Sequence, residues 1–134
     1  MDLKLKFYDN LSGIIKPSAI FASNTSSLQI TQMALASKRK ENFIGLHFFN
    51  PVQLMKLVEI IRTEHTSDEA YKLVSDYTAK IKKTSVTTPD TPGFIVNRLL
   101  VPYMSQVSNF LINLFIMINI YMEIHTFIGN GSAR

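Results

Sequence analysis

The chain has 134 residues, enough for one small domain with a core of its own. Its formal charge of +4 is modest, and Lys38, Arg39 and Lys40 form its only run of three basic residues, with no interleaved aromatics, which argues against a nucleic-acid platform. With no cysteine there is neither a disulfide framework nor a thiolate metal site.

Residues 1–6 alternate and carry charge, unlike a signal peptide or an Arg-rich transit peptide, so no targeting segment is expected. Residues 3–15 read as a short amphipathic helix ended by Lys16 and Pro17. Residues 19–22 suit a short buried strand. The polar cluster Ser23, Asn24, Thr25, Ser26, Ser27 is a turn able to cap a helix over about 28–36. The basic run 38–40 then reads as a solvated helix end. Residues 43–49 are rich in β-formers and close on Asn50 and Pro51. Residues 54–61 form a further apolar run broken by Lys56 and Glu59.

Thr66, Ser67, Asp68 and Glu69 read as a capping box, and Ala70, Leu73, Val74, Tyr77 and Ile81 follow at helical spacing. Residues 85–88 are a short strand. Asp90, Thr91, Pro92 and Gly93 make a turn that opens a helix near Phe94. Helices and short buried strands alternate, so an α/β layer is expected rather than a bundle. Composition then shifts: residues 99–122 contain no charge, and 110–122 are almost wholly apolar.

Four residues could carry chemistry. His47 lies near the end of an apolar strand, where open α/β sheets place their sites, although a lone strand histidine is more often a hydrogen-bonded core residue. Alternation puts Glu59 on the face shared with Leu57 and Ile61. There it either pairs with a histidine, fixing the imidazole tautomer, or faces solvent from an edge strand. Ser26 is first of all a cap, and Asn97 first of all a surface residue early in a helix, yet each could hold a substrate hydroxyl or carbonyl. Neither His65 nor His125 has a second ligand at helical spacing, so no metal site is expected. Glycines occur only at 13, 45, 93, 129 and 131, which leaves no G-x-G-x-x-G and no P-loop.

Four blocks taken together are specific: IFASNTSSL at 20–28, GLHFFNP at 45–51, MKLVEI at 55–60 and DTPGFIVNRLLVPY at 90–103. In this order and spacing they resemble the NAD-dependent L-3-hydroxyacyl-CoA dehydrogenases of fatty-acid β-oxidation, over about residues 2–106. Asn50 after two phenylalanines favours the single-function enzymes, since the large multifunctional proteins usually have serine there. The resemblance implies the C-terminal half of a Rossmann-type NAD-binding domain over 1–91, the start of an all-helical C-terminal domain over 92–106, and a non-family apolar tail over 107–134. It implies His47 as catalytic base and Glu59 as the acid paired with it. Ser26 would contact substrate and nicotinamide, Asn50 and Lys6 the cofactor, and Asn97 the reacting end of the substrate. The implied cofactor is NAD, the substrate an acyl-CoA, the assembly a homodimer in the complete enzyme, and the compartment the mitochondrial matrix. No nucleic acid is implied.

In the family, the strand and glycine-rich turn that grip pyrophosphate precede the segment seen here, so this chain is expected to hold NAD poorly. Half a doubly wound sheet is also expected to leave an unpaired central strand and one uncovered face. Gln106, Val107 and Ser108 are the residues that result when a coding exon ends in CAG and translation continues into an intron beginning GTAAGT, so the tail is expected to be translated non-coding sequence. The alternatives are therefore a truncated or misspliced non-catalytic product, or a membrane-associated protein built on residues 99–122. Pro102, Ser105, Gln106, Ser108, Asn109, Asn113 and Asn119 interrupt that stretch and weigh against membrane insertion.

Overall fold

A computed structural model describes the backbone of residues 1–131 and the side chains of residues 1–123. The elements in chain order are α1 (Asp2–Ser12), β1 (Phe21–Ser23), α2 (Ile30–Ala36), a single 3₁₀ turn (Lys40–Asn42), β2 (Phe43–Phe48), β3 (Leu57–Arg62), α3 (Asp68–Lys80), β4 (Thr84–Pro89) and α4 (Val96–Gly131). The four strands form one sheet in the order β1-β2-β3-β4; β1 and β2 are parallel, β2 and β3 antiparallel, β3 and β4 parallel. The chain divides into two compact units, 1–98 and 99–134.

In the first unit period-two alternation sorts the strand residues onto two faces. Phe21, Phe43 and Ile61 pack with Tyr8 of α1, Ile30, Met33 and Ala34 of α2, and Phe94. Ile44, Leu46, Val58 and Ile60 pack with Val74 of α3. Each face is thus covered over β2 and β3, and the expected bare surface is confined to the edge strands, where Ala22 of β1 and Thr84, Ser85 and Thr87 of β4 stay exposed. Tyr8, Phe21 and Phe43 meet edge-on or tilted, with centroids 4.7–5.8 Å apart. Gly45 is required where α2 lies on the sheet, because an added Cβ would stand 2.7 Å from Ile61 Cβ and 2.8 Å from Ile30 Cγ1.

Several local expectations are revised. α1 ends at Ser12 with Gly13 as its cap, before Lys16 and Pro17. Arg39 is not a solvated helix end. Its guanidinium donates to the carbonyls of Ser12, Ile15 and Lys16, so it fastens the end of α1 and the turn behind it. β1 keeps only Phe21–Ser23. The capping box is absent because Ser67, not Thr66, is the N-cap and accepts from Ala70 N. Thr66 is instead buried, donating to the Phe43 carbonyl. The buried stripe of α3 is Ala70, Val74 and Thr78, whereas Leu73 and Tyr77 are exposed. The helix covers the sheet with a narrow i, i+4 row, narrower than its apolar pattern suggests.

The second unit is helical throughout its described backbone. The large apolar side chains from Leu99 to Met122 are exposed, and Pro102 lies inside the helix. Val96–Glu123 is long and apolar enough to cross a membrane by length and composition, with mean hydropathy 1.4. His125 lies outside the described side chains.

Candidate functional site

The site is built at one end of the β2–β3 ladder, within residues 1–98. The antiparallel register sets His47 directly opposite Glu59, two pairs along from Gly45 and Ile61. Directly opposed residues carry their side chains on the same face, so the histidine and glutamate meet on the α2 side of the sheet. Glu59 is wholly buried and His47 is 4 % exposed. The solvent-facing reading of Glu59 is thereby excluded: β3 is an inner strand with β2 on one side and β4 on the other.

His47 Nδ1 lies 2.7 Å from Glu59 Oε2, and His47 Nε2 lies 3.1 Å from Ser26 Oγ. A carboxylate beside Nδ1 keeps the ring proton there. Nε2 is then the nitrogen with a free lone pair, and it accepts the Ser26 hydroxyl proton. The ring is held between Phe49, at 4.6 Å centroid to centroid, and Phe94, at 5.7 Å.

The second carboxylate oxygen of Glu59 faces backbone. Glu59 Oε1 accepts from Ile95 N at 2.9 Å and from Val96 N at 2.8 Å. Burying a carboxylate is costly unless its lone pairs are met, and here three donors meet them. The two amides reach it because the chain turns sharply through Gly93 (φ 78°) and Phe94 (φ 50°). The left-handed conformation at Phe94 costs roughly 1–3 kcal/mol, so burial of its ring and the bonds beyond it must hold it in place. Sequence reading had no means of finding these donors, since backbone amides carry no side-chain signature.

Ser26 sits on the loop between β1 and α2, and that loop is tied down at several points. Asn24 Oδ1 accepts from Phe48 N, the residue after the histidine. Thr25 Oγ1 accepts from Leu28 N. Asn97 Nδ2 donates to the Ser26 carbonyl at 3.0 Å. Asn97 is therefore half-buried beside Ser26 rather than a free surface residue. The polar cluster does not cap α2. Asp90, sixty positions away, does so: its carboxylate accepts from Ile30 N (3.1 Å), Thr31 N (2.7 Å) and Thr31 Oγ1 (2.7 Å). Asp90 was legible only as a turn residue, because a cap supplied across the fold leaves no local pattern.

Ser26, His47, Glu59 and Asn97 thus converge. Asn50 does not bond within this group; it is exposed directly beyond β2, before a cis peptide to Pro51. Lys6 is elsewhere, on α1, lining a shallow surface depression with Leu5, Asp9, Leu35, Ala36 and Lys38. Among the described residues no three His, Cys, Asp or Glu side chains gather as a metal centre. A buried imidazole with one lone-pair nitrogen, backed by a fixed carboxylate and flanked by a hydroxyl, can take up a proton from a hydroxyl-bearing substrate.

Known proteins resemble this chain in sequence and fold. Residues 1–91 match the family model described as 3-hydroxyacyl-CoA dehydrogenase, NAD binding domain. The mitochondrial hydroxyacyl-coenzyme A dehydrogenase of Mus musculus is 51 % identical over 106 residues, covering 79 % of this chain and 34 % of that protein. The chain thus spans about a third of the length of the curated relatives it matches. Among solved structures, the (S)-3-hydroxybutyryl-CoA dehydrogenase of Ralstonia eutropha superposes with a TM-score of 0.77 at 43 % identity, over 79 % of this chain and 38 % of that one. The 3-hydroxybutyryl-CoA dehydrogenase of Escherichia coli gives 0.79 at 37 % identity, over 84 % and 24 %. With the family model matching well over half of its residues, the chain belongs to the 3-hydroxyacyl-CoA dehydrogenase family, in the part that carries the NAD-binding domain.

Proposed function

We propose that this chain supplies the acid–base half of an L-3-hydroxyacyl-CoA dehydrogenase site. His47 removes the proton of the substrate's 3-hydroxyl through Nε2. Glu59 keeps the Nδ1–H tautomer in place and offsets the positive charge that develops on the ring. Ser26 and Asn97 orient the reacting oxygen, and the Phe49 and Phe94 rings shield the imidazole from water. NAD, when bound, supplies the hydride acceptor that turns the alcohol into a ketone. The single observation that carries this reading is the Ser26–His47–Glu59 relay, buried at His47 and Glu59 and open at Ser26, with bonds of 3.1 Å and 2.7 Å.

The residues present fit the reacting end of such a site and not the whole cofactor. No G-x-G-x-x-G occurs in the sequence, so no residue of this chain is assigned to the pyrophosphate. A cofactor contact by Asn50 remains part of the proposal, since it is exposed just beyond His47; Lys6, remote on α1, has only the family resemblance in its favour. Residues 92–106 would begin a helical substrate-binding and dimerising domain, with 107–134 a separate apolar tail. Matrix localisation follows the mitochondrial relatives.

The test places residues 1–106 within a complete family enzyme and substitutes His47→Gln. General-base removal should lower acyl-CoA oxidation by about 10²–10⁴-fold, with NAD binding unchanged. Lys38→Gln, at an exposed ion pair with Asp9, should leave the rate alone. Full activity of His47→Gln would overturn the assignment.

A further inference from the structure

We infer that the backbone amides of Ile95 and Val96, presented by the Gly93–Phe94 turn, are the positioning element of the His47–Glu59 pair. Acid–base work by His47 is presupposed. What is added is the group that aims it.

None of the bonds observed to the Glu59 carboxylate comes from lysine or arginine. Its partners are His47 Nδ1 on Oε2 and the two amides on Oε1. Two donors on a single oxygen fix the plane of the carboxylate, so Oε2 cannot swing away from the imidazole. The histidine then has one orientation, with Nε2 toward Ser26 Oγ. The amides do a second thing. Ile95 immediately precedes α4 and Val96 is its first residue, where N–H groups without intrahelical partners carry the positive end of the helix dipole. Their partial positive charge faces Oε1, so the carboxylate is held with Oε2 against the imidazole.

The turn is shaped for this purpose. Two successive residues of positive φ curl the backbone so that neighbouring N–H groups point into one concavity, the arrangement that binds anions. Here the anion is a side chain of the same protein. Gly93 is poorly suited to a side chain: its φ of 78° is unfavourable to L-residues, and an added Cβ would lie a tight 3.0 Å from Arg98 N. Phe94 is forced into the same region and anchored by a ring that is 3 % exposed and lies beside His47. A turn needed only to start a helix would require neither the bulky left-handed residue nor the two-to-one match of amides to carboxylate oxygen.

Val96 is the first residue of α4, a position where proline is tolerated. Val96→Pro therefore deletes one amide donor, and Val96→Ala shortens the side chain while keeping it. The readout is the low-field Nδ1–H proton resonance of His47 in the 134-residue protein. Wild type and Val96→Ala should show it in slow exchange with solvent. Val96→Pro should move it upfield or broaden it beyond detection, and Gly93→Ala should do likewise. A folded Val96→Pro protein with an unchanged His47 resonance would overturn the inference. Should that variant not fold, Glu59→Gln decides. It keeps the shape and an acceptor but loses the charge, and charge-assisted bonds are about twice as strong. Hydrogen exchange at the Ile95 and Val96 amides should then rise severalfold, and unaltered exchange would overturn the idea. These readouts need no turnover, so their failure is separable from failure of the acid–base proposal, which His47→Gln tests by rate.

Discussion

Residues 1–98 and the helix that continues beyond them treat apolar side chains in opposite ways. In the first unit Phe43, Ile44, Ile60 and Ile61 are fully buried, and Glu59, Ser37 and Thr78 are buried with their polar atoms bonded. Beyond Leu99, seventeen large apolar side chains between Leu99 and Met122 stand exposed. Apolarity as such does not decide which side chains are buried, since the exposed tail is the more apolar of the two. They differ in periodicity. Strands that alternate and helices that keep one apolar row can each bury one face and leave the other wet. A helix apolar around most of its circumference has no such division.

This comparison would break most visibly at two phenylalanines. Phe43→Ala should destabilise the protein by about 3–5 kcal/mol, the range for emptying a core aromatic site. Phe115→Ala, at a side chain 69 % exposed, should fall within about 0.5 kcal/mol of wild type. Chemical denaturation followed by near-UV circular dichroism of the tyrosines in the first unit reads both. Comparable losses would mean that the helix is packed as tightly as the sheet.

A smaller effect sharpens the contrast inside the first unit. Asp90→Ala removes the carboxylate that caps α2 and should cost about 1–2 kcal/mol. Because α2 follows directly on the Ser26 loop, the same substitution should loosen the Ser26–His47 contact. Faster hydrogen exchange at Ile30 and Thr31, with α3 unaffected, is the expected pattern. Uniform acceleration across the unit would show that Asp90 supports the whole core instead.

The smallest effect belongs to the solvated face of α3. Lys72 Nζ donates to Asp76 Oδ2 at 2.8 Å one turn along. This hydrogen bond, helped by the Asp76 charge, raises the Lys72 pKa above its ordinary value. A raised lysine pKa adds stability that is fully present below the unfolded-state pKa and is lost as pH rises through the folded one. The pair is therefore intact at neutral pH, but it is exposed and runs lysine-first, the weaker order along a helix. Asp76→Asn should shift the melting temperature barely above error at pH 7, and the difference should disappear in strongly alkaline solution. A large shift at neutral pH would show that α3 depends on surface charge.

The sequence by itself determined the alternation of helix and strand, because apolar spacing and Pro-Gly punctuation are local. It also determined family membership, since GLHFFNP and DTPGFIVNRLLVPY are contiguous blocks. Single residues such as His47 and Glu59 stood out by type but remained ambiguous: the histidine read more often as a satisfied core residue, and the glutamate read equally as a solvent-facing one. Only the tertiary structure brought the two together, by pairing β2 with β3 in the one register that sets them opposite each other. A slip of one residue would have sent one of them to the other face. The same holds for Asp90 on α2 and for the amides of Ile95 and Val96 on Glu59, whose partners lie 36–60 positions away. Hydrogen bonds depend on distance in space, and chain order carries that distance only within a turn or two of helix.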